Sequence, residues 1–232
     1  MPVVTASGGP DAEDEPRWHA SLAVVAALAL YVTLPSRLTV GPVWIFPVLV
    51  LGLLLPLSIL APRRHGETAA QRAASIALVA LVNLFNVVSA TALIVHLLYP
   101  PKGLAPLSGA QLLIAGGQIW ATNVLVFALW FWELDGGGPG RRAHARLTSE
   151  LRNADFLFPQ MTLAGNKARC VDPVWKPLFL DYLYVSFTNA LAFSPTDTMP
   201  LTRMAKTLML VESAISFVTM AVVIARSINI LS

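Results

Sequence analysis

The sequence predicts an all-α integral membrane protein with about six membrane-embedded helices, and three observations predict it. Hydrophobic residues make up 56% of the chain and charged ones only 12%, about half the charged share of a soluble domain. Several apolar runs approach or exceed the roughly 20 residues that cross about 30 Å of hydrocarbon. The basic residues gather in the loops between those runs, where lipid headgroups and membrane orientation account for them. Such a chain leaves no room for a sizeable water-facing domain. A net charge of +3 gives no reason to expect nucleic acid, so the lipid bilayer is the expected partner.

Residues 1–17 form an acidic, flexible N-terminal stretch: Asp11, Glu13, Asp14 and Glu15 stand against Arg17 alone, the reverse of a signal peptide's basic leader. It is expected to be retained. Residues 18–134 read as a four-helix transmembrane region. The first run goes from Trp18 to Pro35 and the second from Val43 to Leu60, where Pro47 and Pro56 are expected to kink the helix by removing backbone donors. The third, from about Ala69 to Tyr99, is long enough to tilt and is ended by Pro100 and Pro101. Ser108 is a plausible cap for the fourth, which ends near Leu134 with Trp130 and Trp132 at the water interface. Asp135-Gly136-Gly137-Gly138-Pro139 follows a helix rather than opening one, so it reads as a chain stop and not as a phosphate cradle. Residues 135–176 are a polar, partly amphipathic loop. Residues 177–232 form a C-terminal helical hairpin or pore-like module: an apolar segment from Pro177 to Phe193, interrupted by Asp181, Ser186, Thr188 and Asn189, then a helix from about Leu201 to Leu231.

The stretch from Tyr184 to Glu212, YVSFTNALAFSPTDTMPLTRMAKTLMLVE, resembles the pore helix, filter and inner helix of the tetrameric potassium-channel superfamily. Tyr184, Ser186, Phe187, Thr188, Asp197, Pro200, Thr202 and Glu212 match its pattern without a gap. The resemblance implies a fifth helix that re-enters the membrane, a homo-oligomer (a tetramer if channel-like), monovalent cations as permeant ions, and a mouth built from Thr188, Asn189, Phe193, Ser194, Pro195, Thr196 and Asp197. Where that family has V-G-Y-G this chain has Phe193-Ser194-Pro195-Thr196, without the glycines that turn carbonyls inward. Two readings therefore stay open: a looser pore lined by side chains, or a tight Ser-Pro-Thr-Asp turn between two helices. The whole chain also looks like a group of bacterial membrane proteins of about this length with no assigned activity. Trp132-Glu133-Leu134-Asp135, Asp155-Phe156-Leu157-Phe158-Pro159-Gln160 and the run from Phe187 to Thr202 carry that likeness.

Glu212 falls near the middle of the last helix, where an acidic side chain costs about 2.5–3.5 kcal/mol on insertion scales and so faces protein or water. Glu212, Ser216, Thr219, Val223 and Arg226 recur at four- and three-residue spacing, a mostly polar stripe on one face. Such a stripe serves either a water-lined path or helix packing, since Ser and Thr also join membrane helices. Asn83 and Asn86 on the third helix, with Gln118, Thr122 and Asn123 on the fourth, could meet Glu212 as a buried polar cluster. No catalytic, cofactor or metal signature accompanies it: His19, His65, His96 and His144 are scattered, without metal-ligand spacing, and Cys170 is alone.

The positive-inside rule places the loops holding Arg63, Arg64 and Arg72, then Arg141, Arg142, Arg146 and Arg152, in the cytoplasm. This favours six crossings of a bacterial inner membrane with both termini inside, whereas the pore resemblance requires residues 177–193 to dip and return. The function expected is a polytopic, channel-like permeation protein with a degenerate pore loop; the alternative is a non-channel transporter or a structural membrane protein.

Overall fold

The computed structural model describes residues 17–39, 41–42, 44–60, 68–99, 107–142, 154–163, 175–192 and 197–231. Among the described residues the principal helices are α1 (Trp18–Val32), α2 (Ile45–Leu60), α3 (Ala69–Leu98), α4 (Gly109–Leu134), the short α5 (Pro159–Leu163), α6 (Phe179–Ala192) and α7 (Arg203–Leu231). An antiparallel pair among the described residues joins β1 (Phe156–Leu157) to β2 (Met199–Pro200). Three helical stretches among the described residues are long and apolar enough to cross a membrane: Ala69–Leu98, Gly109–Gly137 and Arg203–Arg226. Trp18–Val32 and Ile45–Leu55 are shorter apolar helices. The fold is helical and compatible with a membrane location.

Local chemistry fixes where the helices begin and end. Thr68 opens α3 and Ser108 opens α4 with the same reciprocal cap, each hydroxyl accepting from the backbone N–H of a glutamine three residues on, Gln71 and Gln111, whose side chain accepts in return. Pro47 stands in the first turn of α2, where its missing N–H has no intrahelical partner to lose; the helix continues through Pro56. Asp181, an interruption in the apolar pattern, lies in the first turn of α6, and its carboxylate accepts from the Leu178 N–H at 2.7 Å.

α4 is the hub, packed against α1, α3, α6 and α7. Registers along it give the directions of its neighbours. The α3 residue Arg72 lies beside Gly138 at the α4 C-terminal end, and Asn86, fourteen residues on, meets Asn123. α7 starts where Thr202 meets Asp155 at the same end, passes Asn123 at Glu212 and Ser216, and reaches Gly116 at Val223. α3 and α7 thus both run antiparallel to α4.

A Cβ on Gly116 would stand 2.7 and 2.8 Å from the two Val223 methyls, whereas one on Gly117 would meet nothing within 4 Å. Gly116→Ala is therefore expected to destabilise the bundle by about 1–3 kcal/mol through overpacking. Gly117→Ala should be neutral or gain up to about 1 kcal/mol from helix propensity. Thermal unfolding of the two variants in detergent checks the contrast.

The sides of α7 are inverted relative to a water-soluble helix. Ala205, Met209, Glu212, Ser216, Thr219 and Val223 point inward, while Leu210, Val211, Phe217, Val218 and Ile224 are exposed. Polar groups inside and hydrocarbon outside is the arrangement that lipid demands.

Candidate functional site

The polar centre of the bundle is built by α3, α4, α6 and α7. Glu212 is fully buried, with 0% of its surface exposed. Its Oε2 accepts from Asn189 Nδ2 at 2.7 Å, and its Oε1 contacts the Ser186 hydroxyl. Both partners stand on α6, three residues apart and so on one face. Asn189 Nδ2 also donates to the Met209 carbonyl at 2.9 Å, and Ser213 Oγ to the Asn189 carbonyl at 3.3 Å. Behind Glu212, Asn123 Nδ2 donates to Ser216 Oγ at 2.9 Å and to the Glu212 carbonyl at 3.2 Å. Asn86 Nδ2 completes the chain with a 3.4 Å bond to Asn123 Oδ1.

A count of hydrogens constrains the carboxyl. Ser186 Oγ lies 2.7 Å from the Val124 carbonyl oxygen and also touches Glu212 Oε1. A hydroxyl carries one hydrogen, so it donates to one of these oxygens only. Both contacts become hydrogen bonds when Glu212 is a carboxylic acid: its O–H donates to Ser186 Oγ, which donates to Val124.

Of the third- and fourth-helix residues expected to meet Glu212, Asn86 and Asn123 join its cluster; Ser216, on the same stripe as Glu212, bonds Asn123, and Asn189, expected at a pore mouth, bonds the carboxyl itself. Thr219 is buried on the same stripe and Arg226 is half-buried. Gln118 turns away to donate to Thr33 at 2.9 Å, and Thr122 bonds back to the Gln118 carbonyl. The buried Oδ1 of Asn83 has no hydrogen-bond partner among the described residues. Thr188 satisfies its hydroxyl on its own helix, at Tyr184 and Val185. Asp197 is exposed beside Thr198. Phe193, Ser194, Pro195 and Thr196 lie outside the described residues.

A second polar assembly, which sequence reasoning missed, closes the C-terminal end of α4. Asp135 is 1% exposed. Its Oδ1 accepts from the backbone N–H of Asp155 at 2.6 Å and of Phe156 at 3.2 Å, and its Oδ2 accepts from the Tyr182 hydroxyl at 2.5 Å. Asp155 reciprocates, accepting from the Gly136 N–H at 3.1 Å and the Thr202 hydroxyl at 2.6 Å. Arg142 Nη1 donates to the Trp132 and Asp135 carbonyls, 2.7 Å each, and so satisfies the end of α4. The return of the chain is possible because Gly136, Gly137 and Gly138 all take positive φ, from 56° to 97°. Phe131, Phe156 and Tyr182 pack edge-on or tilted beneath this end. The available signal was the pair of acidic residues, Asp135 and Asp155, flanking a basic loop.

Among the described residues no group of three or more His, Cys, Asp or Glu side chains could hold a metal ion. No family model, curated protein or solved structure matches the chain.

Proposed function

We propose that this chain is a membrane transport protein that uses Glu212 as a proton-carrying carboxyl inside a single protomer, with α6 as a re-entrant half-helix presenting Ser186 and Asn189 to it. The observation that carries the reading is the burial of a carboxyl whose contacts with Ser186 and Val124 are complete when it holds a proton. A lone ionisable group at membrane depth is costly and pairs with a transport pathway more readily than with packing alone.

The re-entrant path is supported by where α6 is tied at each side. Tyr182, in its first turn, and Thr202, which caps α7 by accepting from the Ala205 N–H, both bond to the Asp135–Asp155 assembly. Ser186 bonds Val124, eleven residues before Asp135, which is about 16 Å along α4. Seven residues from Ala192 to Met199 reach at most about 25 Å when extended, less than the roughly 30 Å of hydrocarbon that a full crossing would need to recross. This path supports five crossings and one dip in place of six crossings. The arginines Arg72, Arg141 and Arg142 at the α4 C-terminal end favour the cytoplasm there, with the N-terminal end of α1 on that side and the C-terminal end of α7 opposite, in an inner membrane.

A symmetric tetrameric pore would need the polar stripe of α7 on an axis between protomers. Glu212, Ser216 and Thr219 are instead buried within one chain, which supports a non-channel transporter over the channel-like alternative. The test is proton flux into vesicles carrying the purified protein and a trapped pH indicator. Wild-type vesicles should dissipate an imposed pH gradient faster than protein-free ones, and Glu212→Gln vesicles should not. Equal rates for wild type and Glu212→Gln would overturn the reading.

A further inference from the structure

We propose a hydrated site between α3, α4 and α7, with Ser89 and Thr219 as water ligands, that opens Glu212 to the membrane face at the α4 N-terminal end and to that face alone. Ser89 and Thr219 are each 1% exposed, and neither hydroxyl has a hydrogen-bond partner among the described residues. Helical hydroxyls, buried or exposed, have an easy remedy in the carbonyl one turn earlier. Thr91, Thr122 and Thr207 take it, at 2.8–2.9 Å. Ser89 and Thr219 do not.

Their positions are related. Ser89 is one turn beyond Asn86 on α3, and Thr219 is one turn beyond Ser216 on α7. The two helices touch and run in the same direction, so both hydroxyls are displaced from the Glu212 cluster toward the same end. An orphaned buried hydroxyl costs about 1–3 kcal/mol, and a water making two to four bonds is its usual complement. The lining here is hydroxyl and amide rather than carboxylate, which suits water over a metal cation. The Asn86–Asn123 bond at 3.4 Å is long for a buried pair and is the link such water would reach first. Toward the opposite end the rings of Phe127 and Phe131, on α4 between Asn123 and Asp135, are 0% exposed, and Tyr182, also 0% exposed, spends its hydroxyl on Asp135.

This inference deepens the reading of Glu212 as a proton site, and its test reads water rather than flux, so the two fail separately. Thr219→Cys and Ser89→Cys, each in a Cys170→Ser background, are exposed in oriented vesicles to the permanently charged methanethiosulfonate ethyltrimethylammonium from one side at a time. The reagent does not cross lipid and reacts with the hydrated thiolate. Both positions should label from the side that labels Tyr99→Cys, at the far end of α3, at least about tenfold faster than from the other. Ala128→Cys should label from neither. Labelling from the Asp135 side, or from no side, overturns the proposal. Should the variants fail to fold, a water-soluble carbodiimide with glycine ethyl ester is applied to the unaltered protein from each side. Modification of Glu212 from the Tyr99 side supports the route, and its absence overturns it.

Discussion

Glu212→Gln is expected to abolish proton flux while leaving the fold almost intact, and Glu212→Ala to damage both. Glutamine keeps the volume of the side chain. Its Nε2–H replaces the acid O–H toward Ser186, and its Oε1 still accepts from Asn189. The cost should stay under about 1.5 kcal/mol, as for other volume-conserving swaps. Alanine removes the carboxyl that two α6 side chains, Ser186 and Asn189, contact and leaves a void at a site with no exposed surface. Residual cavities and unmet polar groups together put this at about 2–4 kcal/mol, tempered because membrane hydrogen bonds measured by double-mutant cycles average only about 0.6 kcal/mol. Thermal unfolding in detergent beside vesicle flux separates the cases. A folded Glu212→Ala protein with full flux would remove the carboxyl from any mechanism.

The largest structural effect should come from Asp135→Ala. One carboxylate holds two backbone N–H groups and a tyrosine hydroxyl, all beneath the surface. Deleting it orphans three donors at about 1–3 kcal/mol each, and the β1–β2 pair that Asp155 anchors should go with it. We expect a loss of about 3–6 kcal/mol, seen as a fall in melting temperature and a loss of near-ultraviolet circular dichroism from the surrounding aromatic rings. Asp135→Asn keeps Oδ1 for the two N–H groups, and the Tyr182 hydroxyl turns to accept from the new amide. It should cost no more than about 1–2 kcal/mol.

The helices were legible because hydropathy and caps are local signals. Ser108 caps α4, and Glu212, Ser216, Thr219 and Val223 do share a buried face. Asn189 entered only through the pore resemblance, whereas polarity at membrane depth singled out Asn86 and Asn123. It could not tell them from Asn83 or Gln118, because a side chain's partner depends on helix rotation, which one sequence does not encode. The Asp135–Asp155 assembly was hidden for a different reason. Its members come from segments up to 67 residues apart, Asp135 to Thr202, and each alone reads as a turn residue. The segment ending at Asp135, the segment opening at Asp155 and the run ending at Thr202 meet there, through Asp135, through Asp155 and Phe156, and through Thr202. Whether residues 177–193 cross or return was equally illegible from composition, since both paths need the same apolar helix. What bears on it is Tyr182 and Thr202 sharing one anchor.

The serine between α4 and α6 has a mechanical consequence. While the acid at position 212 is protonated, Ser186 can spend its hydrogen on the Val124 carbonyl and clasp α4; once that proton departs, the same hydrogen is claimed by a carboxylate, and the clasp opens. Charge on one helix is thereby converted into slack between two others. Ser186→Ala should erase this toggle, leaving the grip of α6 on α4 the same in acid and in base, as amide exchange along residues 179–192 would register.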